Sequence, residues 1–203
     1  MHYILIWVQG AWKWTQAKKL VDNHNFATFS TWDALREHIK NKTEIWKEVK
    51  AVIESWNLVN DVIIWKIVTD FLEKDSTWKV LFDWIPRNAK QKKMFDSLVS
   101  EYKVIFFQLD EKKARERVLW RMYNQTTWEN FVSGTTHDPK TWEKLIKRKD
   151  DNEESLEKRI ELFFNETMPI LEEYKREWRV IDINADQDIQ DVYSELKSKL
   201  GLK

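Results

Sequence analysis

Short runs of β-branched and aromatic residues punctuate a chain otherwise spaced for helix. Tyr3-Ile4-Leu5-Ile6-Trp7-Val8, Val80-Leu81-Phe82, Val104-Ile105-Phe106-Phe107 and Val180-Ile181-Asp182-Ile183 read as buried strands, and a weaker run lies at Phe26 to Phe29. Between them, apolar positions recur at helical spacing over residues 15–23, 32–41, 43–55, 61–72, 88–101, 112–122, 152–177 and 189–200. Strands alternating with helices predict an α/β fold, a mostly parallel sheet covered on both faces. Two stretches break the alternation. Residues 30–59 hold two consecutive helical patterns without a clear strand, which predicts a small helical subdomain. Residues 122–149 are polar and carry Asn124, Thr126, Thr127, Ser133, Gly134, Thr135, Thr136 and Pro139; an excursion of that length inside a compact domain predicts a lid or binding loop.

Composition narrows the function classes. The chain has 203 residues, the size of one domain with room for insertions. Its 34 basic residues balance 34 acidic ones, which argues against broad electrostatic capture of nucleic acid. Without cysteine there is no disulfide, no thiolate zinc site and no catalytic thiol. The apolar run from Tyr3 to Val8 is too short to cross a bilayer and does not read as a signal peptide, so a cytoplasmic protein without membrane contact is expected. The histidines, His2, His24, His38 and His137, are scattered and read as solvated.

Candidate chemistry begins after the first strand, where Gln9-Gly10-Ala11-Trp12-Lys13-Trp14-Thr15 leads into a helix. Strand, short loop, Lys-x-Thr and helix is the context of a phosphate-binding loop: backbone N–H groups and the helix terminus hold phosphates, the lysine reaches the outermost ones and the hydroxyl faces a metal. Taken locally, the same residues also fit an ordinary strand–helix turn with an exposed lysine. Asp83 ends a strand, where ligands of open α/β sheets bind.

Motifs along the rest of the chain resemble adenylate kinases in order and spacing. That family's G-x-P-G-S-G-K-G-T-Q-A appears as Trp7-Val8-Gln9-Gly10-Ala11-Trp12-Lys13-Trp14-Thr15-Gln16-Ala17, and its S-T-G-D-x-L-R as Ser30-Thr31-Trp32-Asp33-Ala34-Leu35-Arg36. G-x-L-V-P-D appears as Trp56-Asn57-Leu58-Val59-Asn60-Asp61, and D-G-F-P-R-T-x-x-Q as Asp83-Trp84-Ile85-Pro86-Arg87-Asn88-Ala89-Lys90-Gln91. R-x-x-G-R is Arg117-Val118-Leu119-Trp120-Arg121; the lid's return motif runs from Thr141 through Arg148 to Asp150 and Asp151, with Arg159 beyond.

The resemblance implies a P-loop-type five-stranded parallel sheet in a single domain, with an NMP-binding insertion at 30–59 and a lid at 122–149. It implies a monomer that converts ATP and AMP reversibly to two ADP with Mg²⁺ and without zinc. Gly10, Ala11, Trp12, Lys13, Trp14, Thr15 and Arg117 would bind ATP; Thr31, Arg36, Asn57, Val59, Trp84, Arg87 and Gln91 would bind AMP. Lys13, Arg87, Arg121, Arg148 and Arg159 would be catalytic, with Thr15 and Asp83 serving Mg²⁺, partly through water. Asp150 and Asp151 would act as a hinge or latch of the lid. Guanidinium groups suit such tasks because their planar fork grips phosphate at two points. A CMP or UMP kinase on the same fold is the alternative; Thr31 in Ser-Thr-x-Asp favours AMP.

One count is out of line: thirteen tryptophans against three glycines. Trp7, Trp12, Trp14, Trp32, Trp46, Trp56, Trp84, Trp120, Trp128, Trp142 and Trp178 all fall where the resembled motifs have glycine; Trp78 fits less closely and Trp65 less closely still. Glycine serves where φ is positive or backbone meets a ligand, and tryptophan is the worst substitute for either use. The pattern points to decoding: a lineage that reads UGA as glycine yields it when UGA is rendered as tryptophan. If the tryptophans are translated, a non-catalytic homologue is expected.

Overall fold

The computed structural model describes the chain except Trp12, residues 44–46, 48–49, 51–59 and 75–78, Trp84, Trp128, residues 132–133 and 149–150, and the side chain of Trp32. Five strands form a parallel sheet: β1 (His2–Trp7), β2 (Ala27–Ser30), β3 (Val80–Asp83), β4 (Tyr102–Gln108) and, named in chain order, β7 (Val180–Asn184). Their order is β2-β3-β1-β4-β7. The chain thus leaves β1 toward one edge and β4 toward the other, so the central strands open a crevice at their carboxyl ends.

Alternation along the central strands builds two cores. Ile4, Ile6, Phe82, Val104 and Tyr102 face one side, with Leu35 of α2 (Thr31–Lys40), Ile64 and Val68 of α3 (Asp61–Lys74), Phe95 of α4 (Ala89–Leu98) and Leu171 of α7 (Met168–Arg176). Leu5, Leu81, Ile105, Phe107 and Ile183 face the other, against Ala17 and Leu20 of α1 (Lys13–His24) and Val192 and Leu196 of α8 (Ile189–Leu200). Each fully buried aromatic or branched side chain contributes about 1.5–3 kcal/mol. This double-sided burial explains why the strands read as unbroken apolar runs.

Local sequence sets the helix boundaries. Ser30, Asn88, Asp110, Asn152 and Asp188 occupy N-cap positions and accept hydrogen bonds from first-turn N–H groups. Asn88, which stands where the resembled motif has threonine, caps α4 by accepting from Gln91 N at 2.9 Å. The helix predicted over 88–101 stops at Leu98 because Val99 turns extended. The pattern over 152–177 resolves into α6 (Glu153–Leu162), a π-helical turn (Phe163–Thr167) and α7. The helix predicted over 43–55 lies largely outside the described residues.

α5 (Glu111–Trp120) leads into the polar excursion, where β5 (Met122–Tyr123) pairs antiparallel with β6 (Asn130–Phe131). Bridges Tyr123↔Ile146 and His137↔Lys144 close it into a small separate β-layer. Among the described residues, no helix is long and apolar enough to cross a membrane.

Candidate active site

The carboxyl ends of β1 and β3 lie side by side, with Leu5 in register with Asp83. From β1 the chain turns through Gly10, whose φ is +90°; a Cβ there would lie 3.0 Å from the carbonyl oxygen of Ala114 and 3.2 Å from Cβ of Arg117. Close approach and positive φ together require glycine at this bend. Ala11 is buried behind it, and α1 starts at Lys13.

Lys13 is only 5% exposed, and its Nζ pairs directly with Oδ2 of Asp83. Burial pushes the Lys13 ammonium down to about 8, against the pull of Asp83. The same burial pushes the Asp83 carboxyl up, against the pull of Lys13. Oδ1 of Asp83 is buried and has no hydrogen-bond partner among the described residues. Two indoles flank the lysine: Nζ lies 3.6 Å from the ring centroid of Trp7 and 4.6 Å from that of Trp14. Thr15 is half-buried in the first turn of α1.

Arg87 stands across the crevice, which Trp7, Gln9, Ile85, Pro86, Arg87 and Thr167 line. Burial lowers its guanidinium to about 10, with Asp83 opposing the shift. Its main chain is fixed at both ends: N–H donates to Oε1 of Gln91 at 2.9 Å, and its carbonyl accepts from Oγ1 of Thr167 at 3.3 Å. Gln91 in turn donates from Nε2 to Asp61 at 3.1 Å, and Thr31 donates to the carbonyl of Asp83 at 3.3 Å. Arg36 is more exposed, on α2, and pairs with Asp33.

A second group of cations gathers beyond α5. Arg121 grips Asp151 with Nε at 2.6 Å and Nη2 at 2.7 Å, and Arg159 reaches the same carboxylate at 3.6 Å. Asp151 is buried and donates its N–H to the carbonyl of Arg148 at 3.1 Å. The Arg148 guanidinium lies 5.8 Å over the Tyr123 ring. Arg117 leans on the β1–α1 loop, donating to Ala185 O at 2.8 Å and Gly10 O at 3.5 Å; burial lowers its guanidinium, against Asp186. Trp12, Asn57, Val59 and Trp84 lie outside the described residues.

A family model described as "Adenylate kinase" matches residues 5–179. The chain belongs to the adenylate kinase family. It is 32% identical over 214 residues to a protein named adenylate kinase from Alkaliphilus oremlandii, covering 99% of each chain. Adenylate kinases of Bacillus subtilis and Fusobacterium nucleatum are also 32% identical, over 219 and 210 residues, covering 99% of this chain and 98% and 99% of theirs.

Three features of the site escaped the sequence reading. Asp151 clasps two arginines with its carboxylate, a contact that its expected place at the lid's return does not by itself predict; its position between Arg148 and Arg159 is the available signal. Thr167 reaches Arg87 from a π-helical turn, a register shift that helical spacing does not announce. The excursion is fastened by Asn124, buried, whose Nδ2 donates to Asp138 at 2.7 Å and to Thr141 at 3.1 Å. Its Oδ1 accepts from the N–H groups of Thr126 and Thr127 at 2.8 and 3.0 Å. Asp138 also accepts from Lys140 N at 2.8 Å, and that backbone contact leads the causes holding its carboxyl below the usual range. The repeated spacing Asn124-x-x-Thr127 and Asp138-x-x-Thr141 was the clue.

Proposed function

We propose that this protein moves the γ-phosphoryl group of ATP onto AMP, and the reverse, in the crevice at the carboxyl ends of β1 and β3. The observation that carries the reading is the meeting of Lys13, Asp83 and Arg87 there: a buried cation on the first helical turn, a strand-end carboxylate and a second cation opposite. Phosphoryl transfer asks little covalent chemistry of a protein and much positioning and charge neutralisation.

In the forward direction an oxygen of the AMP phosphate attacks the γ-phosphorus of ATP. The bond from that phosphorus to the β–γ bridging oxygen breaks, and ADP leaves. Lys13 would release Asp83 and turn to the β- and γ-phosphates over the first N–H groups of α1. Arg87 and Arg36 would hold the AMP phosphate in line, while Thr31 and Gln91 meet its base. Arg121, Arg148 and Arg159 would converge on the transferring group, with Asp151 keeping two of them in register, and Arg117 would lie against the ATP base. The segment 122–149 would close as a lid and exclude water, which would otherwise accept the phosphoryl group.

The residues present fit Mg²⁺. Among the described residues no cluster of three or more His, Asp or Glu side chains could cage a cation. Magnesium rarely needs one, because it keeps several waters and binds chiefly through phosphates and one or two carboxylates. The unpartnered buried Oδ1 of Asp83 provides a place for such a water, and Thr15 provides a hydroxyl. When bound, the ion neutralises charge on the β- and γ-phosphate oxygens.

Protein expressed in its own host should form ADP from MgATP and AMP, with CMP and UMP poorer acceptors. Absence of ADP formation, or equal use of the pyrimidine nucleotides, overturns the assignment.

A further inference from the structure

Helices α7 and α8 end in the same turn. After α7, Trp178 donates N–H to the carbonyl of Lys175 at 3.0 Å, and Arg179 donates to that of Tyr174 at 3.0 Å. After α8, Gly201 donates to Ser198 at 3.2 Å and Leu202 to Lys197 at 3.0 Å. Both sets reach three and five residues back, the paired closure of a Schellman turn, whose pivot residue must be left-handed. The pivots have φ of 57° at Trp178 and 66° at Gly201. Glycine adopts that region freely, whereas a large side chain there is a steric outlier.

The lid repeats the situation. Asp138 and Glu143 bracket a hairpin loop in which Trp142 donates N–H to the Asp138 carbonyl at 2.8 Å, and Trp142 closes the loop at φ 59°. The other non-glycine residues at positive φ among those described are Asn25 and Lys42. Asparagine is a residue type enriched in this region, and Lys42 pivots a third turn of the same kind after α2. Burial offsets little at the tryptophans: Trp178 is 87% exposed and Trp142 77%, the latter stacking on the His137 ring at 5.5 Å. Trp65 differs in every respect. It sits in mid-helix on α3, half-buried, and lines an apolar cavity with Ile64, Val68, Ile85 and Phe95.

We infer that the functional polypeptide carries glycine at positions 142 and 178, from UGA codons read as glycine, and a genuine tryptophan at position 65. The backbone carries this without the kinase reading. The same substitution extends to positions 7 and 14, where the inference rests on that reading: the two indoles lie 3.6 and 4.6 Å from the Lys13 ammonium, the group that reading turns to a triphosphate.

The test combines the codons of the gene with peptide masses of protein isolated from its own host. Expected are UGA at positions 7, 14, 142 and 178, with peptides lighter by the whole indole side chain, and UGG at position 65 with the indole present. UGG with intact tryptophan at 142 or 178 overturns the inference. As a second measurement, Trp178→Gly and Trp142→Gly in the chain as printed should each raise Tm by roughly 2–8 °C, and Trp65→Gly should lower it. No rise from either lid or helix-end change overturns the steric reasoning. None of these readouts uses turnover, so a protein with glycine at 142 and 178 that forms no ADP would sink the proposed function and leave this inference standing.

Discussion

At the carboxyl edge of the sheet, Lys13 and Asp83 hold charge in a buried setting beside the half-buried Arg87, with one carboxylate oxygen left over among the described residues. The segment 122–146 instead fastens itself with amides and hydroxyls of Asn124, Thr126, Thr127 and Thr141 around the carboxylate of Asp138. The first arrangement is costly to bury, and in the proposed reaction an anion and its counter-ion would complete it. The second meets the Asn124 amide and the Asp138 carboxylate with partners from the segment itself, although Oδ1 of Asn130 is buried without a partner among the described residues. A crevice proposed to bind and release phosphate thus holds its cations against desolvation, while the segment 122–146 is fastened mainly to itself. Disturbing the crevice should cost turnover above all; disturbing the lid should cost local order first.

Lys13→Met breaks the crevice most directly. Removing the ammonium takes away the cation that the proposed reaction turns to the β- and γ-phosphates, and kcat/KM should fall 10³-fold or more, about 4 kcal/mol of transition-state stabilisation. Steady-state assays on protein whose circular dichroism matches the parent measure it, and a loss under tenfold would remove Lys13 from the reaction. Asp151→Ala comes next. Its carboxylate orients Arg121 and Arg159, so misplaced guanidiniums should lower kcat about 10²-fold while KM for AMP changes little. A change confined to KM would instead make Asp151 a binding residue.

How much of this was legible beforehand differs between the same two regions. The strands were readable because both faces of the sheet are covered, so Ile4 to Ile6 and Val104 to Phe107 are unbroken apolar runs. The loop around Gly10 and Lys13 was readable as a motif. Its resting pairing was not, because Lys13 and Asp83 are 70 residues apart and no local pattern encodes which carboxylate meets the ammonium. From hydropathy alone the segment 122–149 reads only as a polar interruption. Its strands are two residues long, too short for alternation to show, and its fastening depends on Asn124 meeting Asp138 across 14 residues. The π-helical turn that brings Thr167 to Arg87 hid inside an apparently continuous helix.

Titration separates crevice from lid more gently than mutation does. With the Lys13 ammonium lowered to about 8, the free protein loses that proton as pH rises through this value. In the chain with tryptophan at 7 and 14, an NMR titration of the Lys13 side chain should therefore have its midpoint at about 8, and glycine at those two positions, by uncovering the ammonium, should move the midpoint up. A titration flat to about pH 10 would mean that Lys13 keeps an ordinary lysine proton.

The smallest effect belongs to the lid. Asp138→Ala removes the acceptor shared by Asn124 Nδ2 and the Lys140 N–H, while leaving every crevice residue in place. The lid then has amide hydrogens without partners at its centre and should open locally, with faster hydrogen exchange over 122–146 and unchanged protection in the central strands. KM for ATP should rise a few-fold and kcat should hold, because closure becomes less favourable but the closed geometry is the same. Loss of protection spreading into the sheet would show instead that the two regions fold as one cooperative piece, and that the lid's self-contained bonding does not make it independent.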